Sequence, residues 1–302
     1  MGLNLCRKNM YKKLALAITT LSLLFVFSCG NKTEVNKNLV YVSIEPQKYI
    51  VDRIVDTLLR VEVLLPQGAN HETFEPTAKQ LRALSSSSLY LSIGLLDFER
   101  SLLDKLKSQN TATEFVNLSE GLNLLEGACS HGHNHSHSHG IDPHVWLSAV
   151  EMAKMTRTIQ QNLSEKYPQY DSVFTANSST LLIEIDSLHR FMQKRFEATS
   201  TQKFIIFHPA FAYLARDYGI EQLALEEEGK SPSISHMKNV LAQAKSEGIK
   251  TIFIQKEFDT AIATVAATDF GGKVVVINPL EYSWLDNMYT MSEMLGKALN
   301  GE

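Results

Sequence analysis

Short apolar runs alternate along most of the chain with longer segments of helical hydrophobic spacing. Eight such runs form two sets of four. The first set comprises LVYVSI (39–44), VEVLLP (61–66), SLYLSIG (88–94) and TEFVNLS (113–119). The second comprises FIIFHPA (204–210), EQLALEE (221–227), TIFIQKE (251–257) and KVVVINP (273–279). Near-continuous apolar strands separated by helices are typical of parallel sheets covered on both faces. The pattern therefore predicts an α/β protein with two four-stranded lobes.

Between the two sets lies a segment without glycine or proline, residues 169–200. Its apolar residues Leu181, Ile185, Leu188 and Met192 keep helical spacing, which predicts one long helix. A continuous helix is a stiffer connector than a Gly/Ser linker. We therefore expect a first lobe at 39–168, a connecting helix at 169–200 and a second lobe at 201–302.

The N-terminus has the pattern of a secretory signal. Basic residues between Arg7 and Lys13 precede an apolar run from Leu14 to Phe27 that is short for a membrane span. The run ends in VFSC, which resembles the lipobox of bacterial lipoproteins, so residues 1–28 are predicted to be cleaved and Cys29 to be lipidated. Residues 29–38 are polar and are expected to be a tether. The alternative is an ordinary cleaved signal with an incidental cysteine.

The charge of the chain limits its possible partners, and its cysteine content limits the possible sources of stability. The predicted signal contains four of the 29 basic residues and none of the 33 acidic ones, which leaves a mature net charge of −8 with histidine neutral. This acidic balance argues against nucleic acid as a partner. With Cys6 removed and Cys29 acylated, only Cys129 remains as a thiol, so no intramolecular disulfide is expected and a packed core must supply the stability.

Three histidines follow predicted strands. His71 follows the second strand of the first half, His144 follows the fourth, and His208 ends the first strand of the second half. Ligands of parallel sheets bind at the carboxyl ends of the strands. Each histidine alone has the simpler reading of an ordinary loop residue, but three at strand ends in two lobes favour a shared site. Imidazole suits Zn, Cu, Ni or Fe, and zinc accepts three histidines and a fourth ligand.

A second group of histidines lies in the segment CSHGHNHSHSHG, residues 129–140. Its imidazoles alternate with small polar residues, which keeps them flexible and accessible. We expect an auxiliary, low-affinity metal-collecting loop that raises the local zinc concentration or senses excess zinc, with the thiolate of Cys129 as a further ligand. The alternative is a disordered surface loop that binds metal only in vitro. The predicted auxiliary histidines are His131, His133, His135, His137 and His139.

Several segments together resemble the solute-binding proteins of zinc/manganese ABC importers. They are GANHETFEPT, IDPHVWLS, FHPAFAYLARDYGI, EGKSPSISHMKNVLAQAKSEGIKTIFIQKEFD and VVVINPL, in the family order. The histidine-rich loop before DPHVW, and a histidine rather than a glutamate at position 208, resemble the zinc branch of high-affinity zinc uptake lipoproteins.

This resemblance implies an extracytoplasmic receptor that is not an enzyme. It would capture Zn²⁺ as transported ligand between two α/β lobes joined by a rigid helix, and deliver it to an ABC permease. It would be a monomer attached by lipid to a membrane facing the periplasm or the cell surface. The family's metal ligands correspond to His71, His144 and His208.

The fourth ligand position departs from the family pattern. Where the family usually has an aspartate, this chain has Asn278, and an amide is a weaker metal ligand than a carboxylate. We expect a water in this place, hydrogen-bonded to Asn278, with Glu72 or Glu281 as possible substitutes.

Two other function classes fit parts of the pattern. A zinc-dependent hydrolase also uses three histidines and a water on zinc. The chain has no H-E-x-x-H motif, and Glu72 beside His71 is the only hint of a general base. A metal-loaded surface adhesin would suit a lipid anchor equally well.

Overall fold

The computed structural model describes residues 36–100, 102, 113–126, 140–226 and 233–302. The predicted signal peptide, Cys29, Cys129 and the five auxiliary histidines lie outside these residues, as does most of the predicted tether. Within the described residues, none of the helices is long and apolar enough to cross a membrane.

Each lobe contains a four-stranded sheet in which every neighbouring pair is parallel. The first sheet has the order β2-β1-β3-β4 and the second the order β6-β5-β7-β8. The strands of the first sheet are β1 (Asn36–Val42), β2 (Arg60–Val63), β3 (Ser87–Ser92) and β4 (Glu114–Asn117). Those of the second are β5 (Lys203–Ile206), β6 (Glu221–Ala224), β7 (Thr251–Gln255) and β8 (Lys273–Ile277). The predicted α/β class with two parallel sheets is confirmed.

Helices cover the sheets and join the lobes. Their bounds are α1 (Glu45–Val55), α2 (Ala78–Ser85), α3 (Ala149–Lys166), α4 (Asp171–Glu197), α5 (Ala212–Tyr218), α6 (Ile234–Ser246), α7 (Thr260–Phe270) and α8 (Trp284–Leu299). The long helix predicted between the lobes is α4, preceded by a 3-10 turn at Pro168–Tyr170. It ends at Glu197, before the predicted residue 200, because the following chain bonds to the end of α8: Thr201 N–H donates to Leu299 O at 3.1 Å.

One hydrophobic core cluster runs from the first lobe through α4 into the second lobe. The buried face of α4 carries Phe174, Leu181, Ile185, Leu188, Met192 and Phe196. Burying such a side chain contributes about 1.5–3 kcal/mol. The connecting helix is therefore part of the core, and swinging one lobe away from the other would expose this surface.

Most strands end a few residues before the ends of the apolar runs that predicted them, and two strand ends bear on the site or on the predicted tether. Strand β1 begins at Asn36, inside the range predicted for the tether, because Asn36 N–H donates to Ser86 O at 2.7 Å. Strand β6 ends at Ala224 rather than at residue 227. Leu225 and Glu226 continue beyond it, and Glu226 N–H donates to Phe207 O at 2.9 Å. This short continuation brings the Glu226 side chain to the end of β5.

Candidate metal centre

The three strand-end histidines meet at one point between the lobes. His71 lies in the loop after β2, His144 in the turn before α3, and His208 two residues beyond β5. The Nε2 atom of His144 lies 3.1 Å from that of His71 and 3.3 Å from that of His208. All three side chains are buried, each residue being 4% exposed. One nitrogen of each lies within 4.8 Å of the others, a spacing that a single metal ion can bridge.

The His144 ring is held by a carboxylate two residues earlier in the chain. Asp142 Oδ1 lies 2.8 Å from both the backbone nitrogen and Nδ1 of His144. A carboxylate at Nδ1 fixes the proton there and leaves the Nε2 lone pair free for a metal, an arrangement common behind metal-binding histidines. The orientation of His144 is therefore set within one short turn.

The His208 ring is held in the same way by a residue of the neighbouring strand end. Glu226 Oε2 lies 2.6 Å from His208 Nδ1, and Phe258 stacks on the ring at 5.4 Å. Burial opposes the charged ring, but the hydrogen bond to Glu226 and the charge of Glu72 outweigh burial and raise the pKa of His208. Gln255 fixes the backbone, since its Nε2 donates to His208 O at 2.7 Å.

His71 has no such support. Among the described residues, its buried Nδ1 atom has no hydrogen-bond partner. The ring instead packs edge-on against His144 at 5.1 Å and Trp146 at 5.8 Å. Burial, followed by the neighbouring imidazoles, holds the pKa of His71 well below its usual value. A ring kept neutral in this way has a lone pair available for a metal without first losing a proton.

Two tryptophans tie the lobes together beside the histidines. Trp146 Nε1–H donates to Pro279 O at 3.0 Å, and Trp284 Nε1–H donates to Trp146 O at 2.7 Å. Both side chains are fully buried, and Trp146 lies 5.2 Å from the His144 ring. The segment after β8 is therefore attached to the turn that carries His144.

The candidates for the fourth ligand lie in different places. Asn278 Nδ2 donates to Glu281 Oε2 at 2.7 Å, and Asn278 Oδ1 accepts from Leu280 N–H at 3.3 Å, so the amide is engaged within its own turn. Asn278 also lines an interlobe cleft of about 320 Å³. Glu72 groups with His208 and Glu226 on the Nδ1 side of His208, at 3.7 Å from that atom. Among the described residues, Glu281 joins no group able to hold a metal.

Asp142 and Glu226 each hold one of the histidine rings, although the sequence reasoning did not single them out. Asp142 is visible in the quoted IDPHVW segment, two residues before His144. Glu226 follows its strand by two residues, so the strand-end rule that selected the histidines would have found it too.

Comparisons with known proteins relate the chain to zinc-uptake proteins. The family model described as zinc-uptake complex component A, periplasmic, matches residues 40–298. The zinc-binding lipoprotein AdcA of Streptococcus pneumoniae (strain ATCC BAA-255 / R6) is 28% identical over 279 residues, covering 89% of this chain and 56% of AdcA. The high-affinity zinc uptake system protein ZnuA of Bacillus subtilis (strain 168) is 27% identical over 288 residues, covering 90% of each chain.

Among solved structures, the crystal structure of a ZnuA deletion mutant with zinc bound is 31% identical. Its TM-score is 0.81, and the match covers 88% of this chain and all of that one. The chain thus spans nearly the whole of the ZnuA proteins but only about half the length of AdcA.

Proposed function

Because the chain belongs to the family of the periplasmic zinc-uptake complex component A, we propose that it captures Zn²⁺ outside the cytoplasm and delivers it to the permease of an ABC importer. The observation that carries this proposal is the convergence of three buried imidazoles from two lobes, with their Nε2 atoms directed at one another. Three nitrogen ligands suit zinc, whereas Mg²⁺ and Ca²⁺ prefer oxygen ligands. In this proposal the protein acts as a monomer.

In this proposal His71 and His144 hold the ion on the first lobe, and His208 completes the site from the second. Asp142 and Glu226 keep the two rings they contact in the orientation that presents Nε2. A water takes the fourth place, since the Asn278 amide is already bonded to Glu281 and Leu280. Burial of the ring atoms excludes bulk water and strengthens the metal–nitrogen interactions.

The arrangement of carboxylates favours binding over hydrolysis. A zinc hydrolase needs a general base near the metal-bound water. Asp142 and Glu226 are bonded to the Nδ1 atoms, on the far side of the rings from the metal position. Transport of an unchanged ion needs no such base, so the chain acts as a receptor rather than as an enzyme.

The test begins with metal analysis of the full chain, purified without a metal resin, in which one zinc per chain is expected. Competition with a chelator then compares the wild type with His208→Ala. Apparent free energies of about 10–16 kcal/mol for four-ligand zinc sites correspond to about 3 kcal/mol per ligand, so affinity should fall on the order of a hundredfold or more. The matched control is His189→Ala, whose ring bonds to Tyr218 on α5. Unchanged affinity in His208→Ala would contradict the proposed site.

Lipid attachment through Cys29 is a separate part of the proposal, resting on the VFSC sequence. Cys29→Ser should move the protein from the membrane fraction to the soluble fraction. A variant that stays with the membranes after a salt wash would show that another feature anchors the chain.

The histidine-rich loop is proposed as a low-affinity collector. Deleting residues 130–139 should leave the tight zinc-binding event and remove weaker ones in a calorimetric titration, because His71, His144 and His208 lie outside the deletion. Loss of the tight event would show instead that the loop supplies a primary ligand.

A further inference from the structure

Tyr213, on α5 of the second lobe, contacts the first lobe through its hydroxyl. The side chain is fully buried. The hydroxyl accepts from Leu125 N–H at 3.1 Å and donates to Asp142 O at 2.8 Å. Leu125 and Asp142 lie on two adjacent segments, joined by a hydrogen bond from Asp142 N–H to Leu125 O at 2.9 Å. One hydroxyl from the second lobe therefore holds both segments of the first.

Asp142 is also the residue that orients His144. Its carbonyl accepts from Tyr213, while its carboxylate lies 2.8 Å from His144 Nδ1. The path from the phenol to the imidazole thus passes through a single residue whose backbone and side chain are both held. A shift of the Asp142 backbone would be carried directly to the His144 ring.

Charged contacts keep α5 in place against the first lobe. Arg216 lies over the Tyr213 ring at 5.2 Å, donates to Asn123 O at 2.6 Å and pairs with Glu151 Oε1 at 2.9 Å. Glu151 is fully buried, and its pairs with Arg216 and Lys154 compensate for the hydration that its carboxylate loses. Burial raises the pKa of Tyr213 to about 12, which keeps the phenol protonated and able to donate to Asp142 near neutral pH.

We propose that Tyr213 is a positioning residue for the metal centre, which couples the placement of the second lobe to the orientation of His144 on the first. This inference rests on the proposed zinc-binding function. Moving α5 away from the first lobe would remove the donor from Asp142 and loosen His144. Two of the three ligands, His208 and His144, would then respond to the same lobe displacement, which provides a route for releasing the ion.

The test is Tyr213→Phe, which removes the hydroxyl and keeps the ring. Loss of a group that orients a metal ligand typically lowers metal affinity about 10- to 100-fold, and we expect about tenfold here because the effect passes through Asp142. Zinc dissociation should be faster, and the absorption bands of the Co²⁺-loaded protein should change, since they report the geometry of the ligands rather than overall stability.

The matched control is Tyr218→Phe on the same helix. Its hydroxyl lies 2.9 Å from His189 Nδ1, on the connecting helix rather than at the metal centre. This variant should keep the wild-type zinc affinity and Co²⁺ spectrum. A third comparison introduces Tyr213→Phe into Asp142→Ala, where it should add less than about a twofold effect, because residues acting through one path are not additive.

The outcomes separate this inference from the function on which it rests. If His208→Ala loses zinc but Tyr213→Phe keeps wild-type affinity and spectrum, the inference is overturned and the proposed function stands. Equal losses in Tyr213→Phe and Tyr218→Phe, or additive losses with Asp142→Ala, would also overturn it. If His208→Ala keeps its zinc, the proposed function itself fails.

Discussion

The two lobes have the same strand order but place their histidines after different strands. In the first lobe His71 and His144 follow β2 and β4, which are the edge strands of the sheet. In the second lobe His208 follows the central strand β5, and Glu226 follows the edge strand β6. Parallel topology therefore determines the edge at which polar side chains collect, whereas the loop sequences determine which strand end carries a candidate ligand.

The lobes also differ in how they support their rings. Asp142 is two residues from His144, so the first lobe sets this contact locally. Glu226 is 18 residues from His208, and it reaches the ring only because β5 and β6 pair in parallel. The contact that holds the His144 ring needs only one turn to form, whereas the contact that holds the His208 ring forms only when β5 and β6 pair in the sheet. The following predictions test this difference, beginning with the largest expected effect.

Removing the charge of either supporting carboxylate, Asp142 in the first lobe or Glu226 in the second, should weaken zinc binding at the shared site. Asp142→Asn and Glu226→Gln are each expected to lower the affinity by about 10- to 100-fold, the usual effect of losing such a partner. Chelator competition measures the change. The control is Glu247→Gln, which loses a surface pair with Lys203 at 3.0 Å and should keep wild-type affinity. A large effect in one lobe only would show that the two supports are not equivalent.

Two buried glutamines allow a closer comparison of the loops after the central strands. Gln255 forms hydrogen bonds with the backbone of His208. Gln47, in the first turn of α1, accepts from Ser43 N–H at 2.9 Å. Ser43 follows β1, and the loop there carries none of the candidate ligands. Gln255→Leu and Gln47→Leu should each lower the free energy of unfolding by roughly 1–3 kcal/mol, since buried backbone groups lose partners.

Only Gln255→Leu should also weaken zinc binding, by about tenfold, because only this loop carries a proposed ligand. Urea denaturation of the zinc-free proteins and chelator competition separate the two effects. Equal zinc affinity in both variants would indicate that the His208 loop holds its position without Gln255.

The smallest expected change is spectroscopic. The chain has two tryptophans, and Trp146 lies beside His71 and His144 while Trp284 bonds to its carbonyl. Zinc should change the fluorescence of Trp146 because the adjacent imidazoles become coordinated. Trp146→Phe should remove most of the zinc-dependent signal, and Trp284→Phe should retain it. Loss of the zinc-dependent fluorescence change in Trp284→Phe would instead place the conformational response in the second lobe.

Much of the architecture was predictable because its signals are local. Apolar runs indicated the eight strands found among the described residues, and a segment without glycine or proline indicated α4. The strand-end rule selected three histidines that the structure brings together. The predicted ends of the elements were less accurate, because hydrogen bonds to distant parts of the chain set them. Leu299 O at the end of α8 accepts from Thr201 N–H just after α4, and Ser86 O accepts from Asn36 N–H at the start of β1.

The sequence by itself determined the alternation of strands and helices, the family resemblance and the choice of candidate nitrogen ligands. These properties depend on residue type and spacing along the chain. Only the tertiary structure decided that Glu226 supports His208, that the Asn278 amide faces Glu281, and that Tyr213 of one lobe holds Asp142 of the other. Such contacts join residues that are distant in sequence, or select one of several rotamers, so they depend on how the lobes pack around α4.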